Sequence, residues 1–152
     1  MDKVYYFLEG AETYYLATVE AIADPNAETE YLDDPGNVKL QPRVRPFGTL
    51  LLYDGRLYIQ TGKVKDVSKQ IAENPLVELC AFMDGKWLRI SGELVNDDSV
   101  DIKRAMLEKM PSLKAMYSAE DSNMQMLYFK NATATFSSFT EEPEVIEFGW
   151  TE

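Results

Sequence analysis

Two Asp-Gly pairs, Asp54-Gly55 and Asp84-Gly85, each sit between runs rich in alternating apolar and polar residues. An Asp-Gly pair in that setting favours the two-residue turn that joins antiparallel strands, because such turns need residues that tolerate positive φ. The first pair predicts a hairpin of Arg43–Tyr53 with Arg56–Gln60. The second predicts a hairpin of Val77–Met83 with Trp87–Val95, where Leu88, Ile90, Gly92 and Leu94 alternate with Trp87, Arg89, Ser91 and Glu93. Between the hairpins, Asp66–Glu73 reads as a short helix. Its apolar residues Val67 and Ile71 lie four apart, and Asn74-Pro75 stops it. Two hairpins and one short crossover imply a mixed, mostly antiparallel sheet.

The flanking segments extend that sheet. Lys3–Glu9 has apolar residues at helical spacing, and Tyr14–Val19 is rich in β-branched and aromatic residues and reads as a strand. Ser99 is a plausible cap for a helix over Val100–Lys109, which Pro111 ends. Met126–Phe129, Ala132–Phe139 and Val145–Phe148 are further strand candidates. Ala21–Gln41, acidic and carrying Asp24-Pro25 and Asp34-Pro35-Gly36, reads as a long inserted loop. The expectation is a mostly β chain with short helices, six to seven strands and a single domain over residues 1–152. So many strands in so short a chain favour a closed or nearly closed barrel, which leaves no open edges.

Charge is distributed unevenly. The chain has a net charge of −11, which argues against non-specific nucleic-acid binding. Yet between Lys39 and Lys69 seven basic residues (Lys39, Arg43, Arg45, Arg56, Lys63, Lys65, Lys69) face only two acidic ones (Asp54, Asp66). A local net of +5 in an acidic chain suggests a site for a small anion. No apolar run approaches the roughly 18 residues of a membrane span. MDKVYYFLEGAE shows no basic stretch followed by an apolar core, so a cytoplasmic location is expected. There is one cysteine, Cys80, within the apolar run Val77–Met83, where it reads as an inert thiol. There is no histidine, which removes His-dependent triads and ordinary zinc and haem ligation. Chemistry would have to come from a bound cofactor or from Tyr, Lys, Arg and carboxylates.

Two elements within the basic stretch suit an anionic ligand. Arg43 and Arg45, two apart on one strand, share a face, while Val44 and Pro46 point the other way. Two guanidinium groups on one face suit an anion, a carboxylate or an aromatic plane between them. Thr61-Gly62-Lys63-Val64-Lys65-Asp66 follows a strand and opens a helix, where backbone N–H groups and the helix dipole favour an anion. The spacing is not that of a Walker loop. If the Asp54-Gly55 turn makes the two strands neighbours, a phosphate at the turn and a flat ring along the arginine strand form one site. A positive charge beside the N1–C2=O edge of a flavin would favour its anionic reduced form. Trp87 suits core or subunit-interface packing as well as ring stacking.

The pieces PRVRPFG, LYDGRLYIQTGKVKDVSKQIAENPLVELCAF and GKWLRISGEL, with KRAMLEKMPSLKAMYS and ATATFSSFTEEPEVIEF after them, resemble the pyridoxamine 5′-phosphate oxidase-related flavoproteins. The likeness runs from Tyr14 to Phe148 apart from the acidic insert. It implies the FMN-binding split β-barrel and a homodimer with FMN at the subunit interface. It implies that Arg43, Val44, Arg45 and Pro46 line the flavin ring, and that Gln60, Thr61, Gly62, Lys63 and Lys65 hold its phosphate. It also implies that Trp87 approaches the partner's flavin. The expected activity is an FMN-dependent oxidoreductase passing hydride or electrons between a nicotinamide or other donor and a small-molecule substrate. The alternative is a non-catalytic protein that binds or stores a flavin or another anionic ring cofactor such as deazaflavin or haem, haem being the poorer option without histidine. The chain ends FGWTE and lacks the arginine- and histidine-bearing segment with which the true oxidases grip their substrate phosphate, so oxidation of pyridoxamine phosphate is not expected. The insert over residues 21–41 is expected to form a flap near the flavin.

Overall fold

Both Asp-Gly pairs form the turns that their chemistry favours. Asp54 and Gly55 have φ of 50° and 75°, and Asp84 and Gly85 have 53° and 75°, positive at both turn positions as a type I′ hairpin needs. The computed structural model describes residues 1–24, 26 and 37–150. Its elements in chain order are α1 (Asp2–Ala11), β1 (Tyr14–Ala23), β2 (Val38–Phe47), β3 (Leu51–Tyr53), β4 (Arg56–Gly62), α2 (Asp66–Glu73), β5 (Leu76–Met83), β6 (Lys86–Asn96), α3 (Val100–Lys109), β7 (Met124–Ser138) and β8 (Glu144–Phe148), with a 3₁₀ turn at Pro111–Ala115.

The sheet runs β2-β1-β5-β6-β7-β4-β3, and β8 pairs with the second half of β7. Every described pair is antiparallel, so the mixed sheet expected from sequence is not found. The sheet is open, with β2 and β3 at its edges, where a closed or nearly closed barrel was expected. Eight strands replace the six to seven anticipated. The stretch Arg43–Tyr53 breaks into β2 and β3, while Met126–Phe129 and Ala132–Phe139 are one strand, β7. The two halves of β7 join through Asn131, whose φ is 50° and whose N–H donates to the Gly149 carbonyl at 3.0 Å. Asparagine tolerates that left-handed conformation, so the strand kinks without ending.

The break in the first predicted strand alters the partners. β2 pairs with β1, from Tyr14↔Phe47 to Ala23↔Val38, and the Asp54-Gly55 turn joins only β3 to β4. Between β2 and β3, Thr49 bridges the gap. Its hydroxyl donates to the Gln60 carbonyl at 3.0 Å and accepts the Gln60 N–H at 2.9 Å. The end of β2 is therefore tied to β4 by a reciprocal pair of hydrogen bonds and not by a ladder. Ala21–Ala23 and Val38–Gln41, read from sequence as insert, are paired strand. The centre of that insert, with the flap expected there, lies outside the described residues.

One face of the sheet carries the main core. Leu16, Leu57, Ile59, Leu79, Leu88, Ile90 and Phe129 are buried there together with Val4 and Leu8 of α1 and Val67 and Ile71 of α2. A second core lies between α3 and the other side of β4 and β7, where Ile102 and Met106 meet Tyr58, Met124 and Met126. The β6–β7 register shifts at a bulge between Ser91 and Glu93. Gly92 sits in that bulge, and a Cβ there would stand 3.0 Å from both Cα and Cβ of Ala132. The outward face of β2, β1, β5 and β6 is uncovered and mixed, with Glu78, Arg89 and Ser91 exposed on it among apolar side chains. Leu40, Val44, Tyr15, Leu76 and Phe82 are exposed along it, and Trp87 is half-buried. No described helix is long and apolar enough to cross a membrane.

Gly92→Val should lower stability by about 1–3 kcal/mol, because the added side chain has no room beside the Ala132 backbone. Urea unfolding measures this, and an unchanged midpoint with an unchanged slope would contradict it.

Candidate functional site

Strand β1 supplies the floor for the arginines of β2. Arg43 and Arg45 stand opposite Thr18 and Leu16, so both side chains lie on the core-facing side of the sheet. Helix α2 packs against β1 on that side, and the two arginines meet different surroundings there. Arg43 Nε donates to Glu20 Oε2 at 3.0 Å, an ion pair. Arg45 reaches only neutral acceptors: the Leu16 carbonyl at 3.2 Å, Thr18 Oγ1 at 2.7 Å and Gln70 Oε1 at 2.7 Å. Thr18 and Gln70 are both buried. Burial, and then the neighbouring Arg43, hold the Arg45 pKa below its usual value. An arginine remains charged at neutral pH even so.

The loop after β4 is built differently from the sequence reading. The N–H groups of Lys63 and Val64 are taken by the Asn123 carbonyl at 2.8 Å and by Asn123 Oδ1 at 3.1 Å, and the Lys65 N–H by the Gly62 carbonyl at 3.1 Å. Three N–H groups that an anion would need are therefore engaged by the protein itself. Gly62 is required for another reason: a Cβ there would lie 2.8 Å from the Tyr117 hydroxyl. Lys63 pairs with Asp98 at 2.5 Å. Burial works to raise the Asp98 pKa, but hydrogen bonds from Lys63, Asn96 and the Met126 N–H outweigh it, and the net shift is downward from 3.8.

Four of the seven cations between Lys39 and Lys69 thus have carboxylate partners. Lys39 pairs with Asp24, Arg43 with Glu20, Arg56 with Asp97 and Lys63 with Asp98. Among the described residues, Arg45, Lys65 and Lys69 have none. All three lie along α2: Lys65 precedes its first residue, Lys69 lies in its middle, and Arg45 bonds Gln70. Lys65 and Lys69 are one helical turn apart, and Gln70, beside Lys69, holds Arg45.

Next to them Pro46, Phe47, Thr49, Gln60, Thr61, Lys65 and Tyr117 line a recess of about 180 Å³. The Thr49–Gln60 tie brings the end of β2 to the end of β4, so Pro46, Gln60, Thr61 and Lys65 meet there although β2 and β4 are not paired. Val44 faces outward and is exposed. Trp87 is remote. It pairs with Ser137 near one end of β7, whereas Gln60 pairs with Met126 near the other. Along β7 that separation is about 36 Å, at about 3.3 Å per residue. Sequence reading missed Thr18, Gln70, Asn123, Tyr117 and Asp98. The larger recess of about 520 Å³ between α1 and the end of β7 has Glu141, Glu142 and Glu144 at its rim, which disfavours an anion. No cluster of metal-binding residues occurs among the described residues.

Three solved structures are similar to this chain in fold. A NimC/NimA family protein from Clostridium acetobutylicum shares 36% identity over 97% of this chain and 92% of its own, with a TM-score of 0.80. A pyridoxamine 5′-phosphate oxidase-related, FMN binding protein from Nostoc punctiforme shares 15% identity over 91% of this chain and 87% of its own, with a TM-score of 0.55. A heme binding protein from Mycobacterium smegmatis shares 10% identity over 92% of this chain and 57% of its own, with a TM-score of 0.59. The last two likenesses concern the fold alone. No protein-family model and no curated protein sequence matches the chain.

Because the folded-state pKa of Asp98 is depressed, its contribution to stability is present above pH 3.8 and is lost as pH falls further. Asp98→Asn should therefore destabilise the protein at pH 7, and the difference from wild type should shrink below pH 3.8. Thermal melts across pH 2–7 measure this, and a gap that stays constant into acid would contradict it.

Proposed function

The chain belongs to the NimC/NimA family of pyridoxamine 5′-phosphate oxidase-like proteins, and on that premise we propose that it is an FMN-dependent oxidoreductase. The observation that carries the reading is the trio Arg45, Lys65 and Lys69, the cations of the basic stretch left without carboxylate partners among the described residues, brought together along α2 with Lys65 lining the recess. An anionic cofactor fits that donor set. Lys65 and Lys69 hold the phosphate, with the Thr61 hydroxyl as a further donor from the wall of the recess. Arg45 and Pro46 of β2 and Gln60 of β4 frame the ring side. Lys63 is occupied by Asp98 and contributes less than Lys65.

The recess supports a shared site. Its 180 Å³ is below the roughly 300 Å³ at which small-molecule sites begin, so one chain offers one wall of a flavin site. The uncovered outward face of β2, β1, β5 and β6 suits a second copy, because the large apolar side chains exposed on it, Leu40, Val44, Tyr15, Leu76 and Phe82, are of the kind that mark interaction surfaces. In such a homodimer the partner's Trp87 would complete the wall that this chain's own Trp87 stands too far away to form.

FMN, when bound, supplies hydride and electron transfer between a nicotinamide or other donor and a small-molecule acceptor. The chain's residues supply position and positive charge. The sequence has no histidine to ligate haem iron in the usual way, so the flavin reading fits these residues better than a haem reading.

Ligand released from purified protein should be FMN by mass, and the protein should elute as a dimer. Arg45→Gln with Lys65→Gln should weaken FMN binding about 100-fold or more, since each charge-assisted bond contributes about 1.5–3 kcal/mol. Lys63→Gln should weaken it far less. Protein without flavin, or full FMN content in the double variant, would contradict the assignment. Bleaching by NADH or NADPH and recolouring by an acceptor would identify turnover; a bound flavin that no donor reduces would point to storage.

A further inference from the structure

Gln70 stands between an arginine and a glutamate. Its Oε1 accepts from Arg45 NH2 at 2.7 Å, and its Nε2 donates to Glu20 Oε2 at 3.1 Å. The network fixes the amide orientation. Reversed, the amide would turn N–H groups against guanidinium donors and a carbonyl against a carboxylate. Thr18 reinforces it, because its hydroxyl accepts from Arg45 NH1 at 2.7 Å and donates to Gln70 Oε1 at 2.6 Å. Thr18 and Gln70 are 2% and 7% exposed, so this arrangement is built into the interior.

Glu20 has a second attachment, the ion pair with Arg43 at 3.0 Å. Arg43 from one side and the Gln70 amide from the other thus hold the carboxylate one amide group away from Arg45. Without that amide, a carboxylate on the same face of β1 could reach the guanidinium and form a charge-assisted pair. Asp66, Glu20 and Arg43 are the charged groups whose fields Arg45 feels. Of the two carboxylates, Gln70 touches only Glu20.

We propose that Gln70 is a positioning residue that keeps Glu20 from bonding to Arg45, so that the guanidinium has no carboxylate partner and remains available to an anionic ligand. The role rests on the flavin reading above and adds to it a residue that touches no ligand. The neutral amide is what matters: it satisfies a cation and an anion at once without letting them meet. A glutamate at this position would keep the shape and the acceptor but cancel the charge.

Titration of flavin-free protein with FMN tests this. Gln70→Glu should raise the dissociation constant at least tenfold. Gln70→Ala should raise it in the same direction, because Glu20 is then free to reach Arg45. Glu20→Gln added to Gln70→Ala should restore affinity to within about threefold of wild type. A packing role for Gln70 would give the loss without the rescue, so failure of Glu20→Gln to restore binding overturns the proposal. Wild-type affinity in both single variants also overturns it, with FMN binding by the wild type showing that the flavin reading survives. A wild type that binds no FMN overturns both. If Gln70→Glu does not fold, as judged by circular dichroism, the Gln70→Ala pair decides alone.

Discussion

The placement of Arg45 connects the elements around the candidate site. Its guanidinium joins three parts of the chain that sequence order keeps apart: its own strand β2, the Leu16 carbonyl and Thr18 hydroxyl of β1, and Gln70 of α2. Those bonds lie where β2 is an edge strand with only one neighbour. An edge strand is the least secured part of a sheet, and here side-chain bonds to buried partners supplement its ladder. The Thr49–Gln60 pair then carries the chain from β2 across to β4. The start of α2 and the end of β2 thus come to the same end of the fold.

Arg45 lies within a wider arrangement of charge. In a chain of net charge −11, most cations find carboxylates, and the structure shows where they do. Lys39, Arg43, Arg56 and Lys63 each take one from outside the basic stretch. Exposed pairs of this kind contribute about 0–1 kcal/mol each, so stability alone places little demand on the pairing. Within the basic stretch, their greater consequence is to leave Arg45, Lys65 and Lys69 without a carboxylate partner among the described residues. Of these three, Lys65 lines the recess itself.

Much of the fold was legible because it is encoded locally. The two Asp-Gly turns, the Asn74-Pro75 stop and the alternation of Trp87–Val95 each depend on residues near in sequence. Partner choice was not local. Nothing around Arg43 shows that β2 pairs with β1, because that choice follows from the bridge at Thr49 and from the burial of Thr18 and Leu16. The joining of Met126–Phe129 to Ala132–Phe139 was hidden by Asn131, which resembles a turn residue but here kinks a continuous strand. In the site, the basic residues were visible as composition. Their neutralisation by Glu20 and Asp98, and the capture of the Lys63 and Val64 N–H groups by Asn123, come from segments distant in sequence. The family likeness supplied an expected occupant for the site, and the structure supplied which of its charges remain available.

If Lys65 and Lys69 form a phosphate site, the cofactor's phosphate must contribute much of its affinity. Calorimetric titration of flavin-free protein with FMN and with riboflavin isolates that contribution, since the two share a ring system and differ by the phosphate. The account predicts that FMN binds about 100-fold or more tightly than riboflavin, a difference of about 2.8 kcal/mol, and that added salt narrows the gap. Equal affinities at low salt would contradict it.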